Sequence, residues 1–533
     1  KMVSEKQPIY VMPENVQRIF GQDAQRNNIL AARIVADTIK TTLGPKGMDK
    51  MLVDSSGDVV ITNDGVTILK EMEIEHPAAK MMVEIAKTQE NEVGDGTTTA
   101  VMIAGKLLEN AEKLLDKKIH PTVITKGYQL AAEKSLEILS SLATRITTDD
   151  DYTLRQVTIT SMTGKGVENV KEKFANIIVG AVKQIEDFGK IDLNNIKIEK
   201  IKGHSIRDTE IISGIVLDIE KINIDMPKSV EDAKIALIDF PIELKNPEID
   251  TKINVSTPEQ LQGFIDSEDR MLKSMIDKIK KAGASVVFCQ KGIDDVAQYY
   301  LTRNKIYACR RVSKSDMEKL ARATGGKIVS NIDNLINEEL GSAKSVEEVK
   351  QGENTLTYVT GCINPKAITI IIRGGSEHVM DETERAIMDG LGDVSAVLKD
   401  GMVVAGGGAI EIELAKRLRI FSQTLPGREQ LAVEEFSSAI ENIPITLAEN
   451  AGLDPIDILT ELKAKHEEGM EHFGLNLFNG KVEDTFEAGI IEPLKVKTQA
   501  ISSASEVANM ILRIDDVISS GRRNNNEKMP DYE

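Results

Sequence analysis

The chain has 533 residues, with 66 Lys and Arg against 85 Asp and Glu, for a formal net charge of −19. At ~150 residues per domain this length predicts about three or four domains, and the 41% hydrophobic and 28% charged fractions are those of a soluble globular protein. The acidic balance argues against nonspecific binding to nucleic acid or an anionic membrane. With no Trp and 4% aromatic residues, few platforms remain for stacking single strands. No run approaches the ~18 apolar residues of a membrane span, and the first residues lack the apolar core of a secretory signal. Cys289, Cys309 and Cys362 are too few for a disulfide framework in a chain this long, which fits a reducing cytoplasm.

The N-terminal third reads as helical. An apolar-periodic run over residues 22–42 ends at Leu43-Gly44-Pro45, where Pro45 cannot continue a helix. Met51-Leu52-Val53 and Val59-Val60-Ile61 flank a turn segment and predict a hairpin. Helices follow over residues 77–91, 98–115 and 122–142, the second carrying Ala104, Leu107, Leu108, Ala111, Leu114 and Leu115 as one stripe. In the middle, strand-like runs at residues 235–238, 286–289, 306–309 and 327–329 alternate with helical segments, which predicts an α/β unit with a largely parallel sheet. Thr257-Pro258-Glu259-Gln260 and Ser315-Asp316-Met317-Glu318 read as capping boxes, and the second helix stops at Gly325-Gly326. After Ile368–Ile372 long helices return to about residue 472, followed by a short β-rich stretch, a last helix and a polar tail from Ser519 expected to be disordered. One α/β module therefore interrupts a mostly helical body assembled from both ends of the chain.

Gly94-Asp95-Gly96-Thr97-Thr98-Thr99-Ala100 is the most informative segment. Its glycines permit close backbone approach, and three hydroxyls sit at a helix start, where free N–H groups and the helix dipole favour an anion. Asp95 fits there if a divalent cation bridges carboxylate and phosphate. The alternative on these residues alone is a helix C-cap followed by an N-cap, with Gly and Asp as turn formers. Leu43–Gly47 and Thr62–Thr67 are each turns on their own reading. In Val403–Ala409 three adjacent glycines (Gly406, Gly407, Gly408) permit either a flat ligand or tight helix packing. No Gly-x-x-x-x-Gly-Lys-Ser/Thr pattern occurs, which excludes a standard P-loop. His466 and His472 do not make a zinc pattern and read as residues of a solvated helix face.

In their order, these segments resemble the group II chaperonins, of the archaeal thermosome type. The resemblance runs from Gln7 to Ser519 and is carried by LGPKGMDKM (43–51), TNDGVTIL (62–69), GDGTTTA (94–100), TGKG (163–166), QKGID (290–294), DGL (389–391), VAGGGA (404–409) and KTQA (497–500). It implies a multidomain α/β chain: a mostly helical equatorial ATPase domain (residues 1–147 and 403–533), an α+β intermediate hinge domain (148–215 and 367–402), and an α/β apical domain (216–366) with a helical lid protrusion at about 240–274. It implies ATP or ADP and Mg2+ as ligands, with K+ as a further candidate ion. The implied partners are unfolded polypeptides and identical or homologous subunits in stacked rings of eight or nine, with no nucleic acid and no membrane.

The resemblance also implies residue roles. Asp95 resembles the magnesium ligand, Gly94 and Gly96 beside it fall among the nucleotide-binding residues, and Thr97, Thr98 and Thr99 take phosphates. Leu43, Gly44, Pro45 and Asn63 fall among the nucleotide contacts, as do Gly407, Gly408 and Ile490, and Glu492 matches the acceptor of ribose hydroxyls. Asp64 and Asp389 match the carboxylates that position and activate the attacking water, and Lys165 matches a lysine that senses the terminal phosphate. Clients are expected on residues 271–281 and 294–304, and Leu261, Phe264 and Ile265 read either as partly exposed lid residues or as residues that pack a helix onto the domain. Gly390 departs from the family's usual Ala, which is expected to loosen that helix locally, and the tail lacks Gly-Met repeats. Two other readings are a mainly structural or regulatory subunit of a mixed ring, which intact Asp64, Asp95 and Asp389 count against, and an ATP-binding metabolic enzyme, which no substrate-pocket chemistry supports.

Overall fold

The computed structural model describes residues 16–243, 258–352 and 354–520. The chain forms two compact units: Lys1–Ile146 together with Gly401–Glu533, and the contiguous Thr147–Asp400. None of the described helices is long and apolar enough to cross a membrane.

The first unit is built round helix Thr97–Asp116, which is apolar on most of its circumference and buried along most of its length. A helix hydrophobic all round must be enclosed, and helices Gln22–Lys40, Pro77–Glu92, Glu429–Ile440 and Leu494–Leu512 pack against it. Helix Pro121–Leu142 is anchored where the buried Tyr128 hydroxyl donates to Leu107 O at 2.7 Å and its ring meets Phe436 edge-on at 5.7 Å. Its start, and that of Pro77–Glu92, share one device: a histidine cap (His120, His76) accepts a backbone N–H, and proline follows as the first helical residue. The limits of Pro77–Glu92, Thr97–Asp116 and Pro121–Leu142 fall within a residue of those expected from periodicity, while the first helix ends at Lys40, two residues short of the expected 42.

The hairpin pairs Lys50–Val53 with Val59–Thr62, Met51 facing Ile61. A second antiparallel pair joins Val16–Phe20 to Asp516–Ser520. Ser519 and Ser520, expected in a disordered tail, are therefore strand residues; residues 521–533 lie outside the described residues.

In the second unit a seven-stranded sheet runs in the order Tyr307–Cys309, Val286–Cys289, Ser229–Ile238, Gly341–Gln351, Asn354–Thr360, Gly214–Leu217, with Ile328–Val329 added beside Ser229–Ile238. The four strands read from sequence pair in parallel, but Gly341–Gln351, Asn354–Thr360 and Gly214–Leu217 are antiparallel. The sheet is thus mixed rather than largely parallel. In its missed half, Gly341–Gln351 mixes buried with half-exposed positions, unlike the continuous apolar runs of the parallel strands, whereas Gly214–Leu217 is buried throughout and Asn354–Thr360 over four consecutive residues. Each face carries its own core, one around Leu272, Ile276 and Ile279, the other around Tyr307, Met317 and Leu320. The three cysteines are buried, and burial raises the thiol of Cys309 to about 12. Helix Lys314–Thr324 is capped by Ser313, not Ser315: Ser313 Oγ accepts from Asp316 N at 3.1 Å, and Gly325 ends the helix in the left-handed region as expected.

A three-stranded sheet, Ile196–Lys202, Ile368–Gly374 and Glu210–Ile212, and helices Asp151–Met162, Lys171–Ile185 and Glu377–Asp400 complete this unit. Residues 244–257 of the expected protrusion, with the Thr257 cap, lie outside the described residues, as do the side chains of Leu261, Phe264 and Ile265. Residues 271–281 belong to helix Pro258–Ala282 and most of 294–304 to Asp295–Arg303; Met271, Val296 and Tyr299 on these helices are exposed while Leu272, Ile276 and Leu301 enter the core.

Candidate functional site

In the first unit, helices Gly65–Glu71, Thr97–Asp116, Ala409–Ser422 and Leu494–Leu512 begin close to one another, linked through the glycine-rich segments. Gly94 and Gly96 have φ of 93° and 77°, a region that costs glycine little and other residues more. Gly96 caps Thr97–Asp116, so no cap side chain covers its first N–H groups. Asp95 Oδ1 accepts from Gly96 N at 2.7 Å, and Gln89 Nε2 ties the loop down by donating to Asp95 O at 2.9 Å and Val496 O at 3.1 Å. Thr97, Thr98 and Thr99 are buried at the helix start.

Asp64 caps Gly65–Glu71, its Oδ2 accepting from Thr67 N at 3.0 Å and Thr67 Oγ1 at 2.6 Å. Thr97 Oγ1 reaches Asp64 Oδ1 at 3.4 Å, and a Cβ on Gly65 would lie 2.5 Å from Thr98 Oγ1. The two helix starts, with Asn63 half-buried beside them, are therefore in direct contact and carry Asp64 and Asp95 on one locale.

The other glycine segments close round the short helix Asn442–Asn450. A Cβ on Gly44 would strike Leu447 Cδ2 at 2.4 Å, and one on Gly408 would strike Pro444 Cβ at 2.6 Å. Asn450 donates to Lys40 O at 3.1 Å and Leu43 O at 3.0 Å, holding the turn that leads into half-buried Pro45. Gly407 O accepts from Leu475 N at 2.8 Å, and Gly406 N donates to Ile490 O at 2.9 Å.

Glu492 stands opposite Val404 in the strand pair that follows. Its Oε1 lies where a Cβ on Gly406 would be 2.7 Å away, and its Oε2 is ion-paired with Lys497 Nζ, which also meets Glu411 Oε1 at 2.8 Å. Burial pushes the Glu492 carboxyl up; Lys497 opposes this, while Glu411 and Asp95 add to it, so Glu492 feels the Asp95 charge. On Lys497 burial favours the neutral amine, but Glu411 and Glu492 outweigh it and hold the ammonium charged.

The structure thus brings Gly44, Asp64, Asp95, Thr97–Thr99, Gly406–Gly408, Ile490 and Glu492 together in one unit. Lys165 and Asp389 are in the other unit and are ion-paired with each other, each side chain less than a fifth exposed. Gly390 does not loosen its helix: a Cβ there would meet Ile178 Cδ1 at 2.9 Å and Thr158 Cγ2 at 3.1 Å, so it lets three helices approach closely. His466 is not on a solvated face. It is buried, Nδ1 2.9 Å from Glu413 Oε2 and Nε2 2.8 Å from Phe473 O. Sequence reading missed Gln89, Thr67 and Glu411, and quoted Lys497 without a role; polar residues spaced along the apolar faces of helices were the available signal.

A contiguous mixed-sheet unit set into a helical unit that gathers these loops has the build of a chaperonin subunit. The chain belongs to the TCP-1/cpn60 chaperonin family, whose family model matches residues 35–522. It is 58% identical over 523 residues to the thermosome subunit of Methanopyrus kandleri, covering 97% of this chain and 96% of that one. It is also similar to the thermosome subunits beta and alpha of Archaeoglobus fulgidus, at 58% over 518 residues and 56% over 517, each covering 96% of this chain and 95% of the relative. Family membership places it among proteins that act in protein folding.

Proposed function

We propose that the chain is an ATP-driven chaperonin subunit that assembles with identical or homologous subunits into stacked rings of eight or nine, encloses unfolded polypeptides and releases them after hydrolysis. The observation that carries this reading is the convergence of Asp64, Asp95, the threonine-rich helix start and three glycine segments from distant parts of the chain. The donor set fits a magnesium nucleotide. Thr97–Thr99 and the uncovered N–H groups suit phosphate oxygens, Gly44 and Gly408 leave room where any side chain would collide, and Glu492 suits ribose hydroxyls. Among the described residues no cluster of three or more His, Cys, Asp or Glu forms a cation cage, and magnesium is typically held by one or two carboxylates plus substrate phosphates; Asp95 would supply that carboxylate. The ion would offset phosphate charge and orient the terminal phosphoryl group.

Asp64, held by Thr67, and Asp389 are the carboxylates proposed to position and activate water, with Lys165 as the phosphate sensor. In this reading residues 1–147 and 403–533 are the equatorial domain, 148–215 and 367–402 the hinge, and 216–366 the apical domain. The two cores on the faces of the seven-stranded sheet support a distinct apical domain, a smaller core of Ile201, Val216, Leu356, Tyr358 and Ile371 joins that sheet to the three-stranded one at the proposed boundary, and the exposed Met271, Val296 and Tyr299 are suited to hold apolar client segments. The test is Asp389→Ala, which should bind ATP but release phosphate roughly a hundredfold or more slowly. Unchanged steady-state phosphate release would remove Asp389 from the mechanism.

A further inference from the structure

Among the described residues, Lys497 is the one cation that bridges Glu492 and Glu411 in this buried cluster. Both its partners and its own side chain are largely removed from water: Lys497 and Glu411 are below one-tenth exposed and the Glu492 side chain is about one-quarter exposed. A buried lysine is costly unless its charge is matched, and here two carboxylates match it. The ammonium has three donors and no acceptor; it takes Glu411 Oε1 and Glu492 Oε2 and leaves Glu492 Oε1 over the bare Cα of Gly406. One oxygen of Glu492 is clamped and the other faces the glycine segment. Glu411 is fixed in the first turn of Ala409–Ser422, where the helix N-terminus favours a negative charge, and its Oε2 is buried without a hydrogen-bond partner among the described residues. The anchor of the clamp is therefore part of the same helix that begins at Gly408.

We infer that Lys497, seated on Glu411, is a positioning residue that fixes Glu492 as a charged, singly available acceptor and so sets the site's selectivity for a nucleotide with an intact ribose. This rests on the nucleotide-binding reading of the site. Lys497 touches no substrate; it acts through Glu492. Without it, Glu411 and Glu492 would face each other across a buried gap, together with the charge of Asp95, and Glu492 would turn away or take up a proton. Either change removes an acceptor that a ribose hydroxyl needs, while the phosphate-binding helix start and the water-positioning carboxylates are untouched.

The experiment compares steady-state ATPase kinetics of the assembled wild-type protein and of Lys497→Met, with ATP, 2′-deoxy-ATP and 3′-deoxy-ATP. The wild type should favour ATP in kcat/KM over at least one deoxy analogue by about tenfold or more, the scale of a hydrogen bond to a charged group. K497M should raise KM for ATP by a similar factor, leave kcat within about twofold, and bring the ATP-to-deoxy ratio close to one. A merely structural role would lower kcat or assembly for all three nucleotides alike and keep the ratio. If K497M does not assemble, the double variant Lys497→Met/Glu411→Gln removes the stranded second carboxylate and is read in the same way. A preserved ratio in whichever variant assembles overturns the inference. A wild type that hydrolyses all three nucleotides equally overturns the ribose role of Glu492 and this inference with it. A wild type that hydrolyses none overturns the proposed function instead.

Discussion

Glu413 shows how a single buried charge can be held in place and why the sequence hid it. Burial alone would raise its carboxyl, but hydrogen bonds from His466 and Arg417, with Lys416 nearby, outweigh that and lower it to about 2. A carboxylate whose folded-state value lies below its unfolded value stabilises the fold above the unfolded value, and that contribution fades as pH falls through the folded one. The window here runs from about pH 4.5 down to about 2. Glu413→Gln should therefore melt at a lower temperature than wild type near pH 7 and lose less further stability on acidification toward pH 2. Parallel melting curves for the two proteins across that range would assign the acid dependence elsewhere. In sequence, Glu413 and His466 are 53 positions apart, and nothing local distinguishes them from surface residues. The loop of Asp95 and Gly96 at a helix start was legible because turn chemistry and helix caps are local, whereas Asp64 read only as part of a turn and drew its expected role from the resemblance; Lys497 and Glu411 were not legible, because their contacts exist only once distant helices meet.

At the scale of elements, contact between helices decides what a glycine does. Gly127 lies mid-helix in Pro121–Leu142, where a Cβ would come 2.4 Å from Ala432 Cβ and 2.9 Å from Glu429 O, both fixed to the backbone of the facing segment. Gly180, mid-helix in Lys171–Ile185, has nothing within 4 Å of its added Cβ and is exposed. Helix propensity favours Ala over Gly by about 1 kcal/mol at either position. Gly127→Ala should nonetheless destabilise, by up to about 2 kcal/mol, since overpacking costs about 1–3 kcal/mol against that gain, whereas Gly180→Ala should stabilise by up to about 1 kcal/mol. Denaturant midpoints measured on both variants would check the opposite signs, and a shared sign would refute the packing argument. The His-Pro caps at residues 76–77 and 120–121 went unread, but helix existence and approximate limits were readable from apolar spacing and from the Gly44-Pro45 stop. The antiparallel half of the large sheet was not, because Gly341–Gln351 and Asn354–Thr360 owe their pairing to one another and to Ser229–Ile238 rather than to a continuous apolar run.

For the whole molecule, the chain leaves and re-enters the first unit at one place. Thr144 and Arg145 pair with Val403 and Met402, and Ile146 N donates to Gly401 O at 2.9 Å. Adjacent entry and exit points let a contiguous segment be inserted without disturbing the host, so Thr147–Asp400 should fold when expressed alone. Cooperative thermal unfolding of that fragment is the expected result, and an unfolded fragment would show that its cores need the remainder. Residues 1–146 alone should not fold, since Phe436, Ala504 and other C-terminal side chains complete their core. The central claim, that nucleotide drives a ring of these subunits, is tested most directly by electron microscopy of the purified chain with and without magnesium-ATP and a transition-state phosphate mimic. Double rings that are open without nucleotide and closed with it are the predicted result; particles that look the same in both conditions, or that form no rings in either, would contradict it.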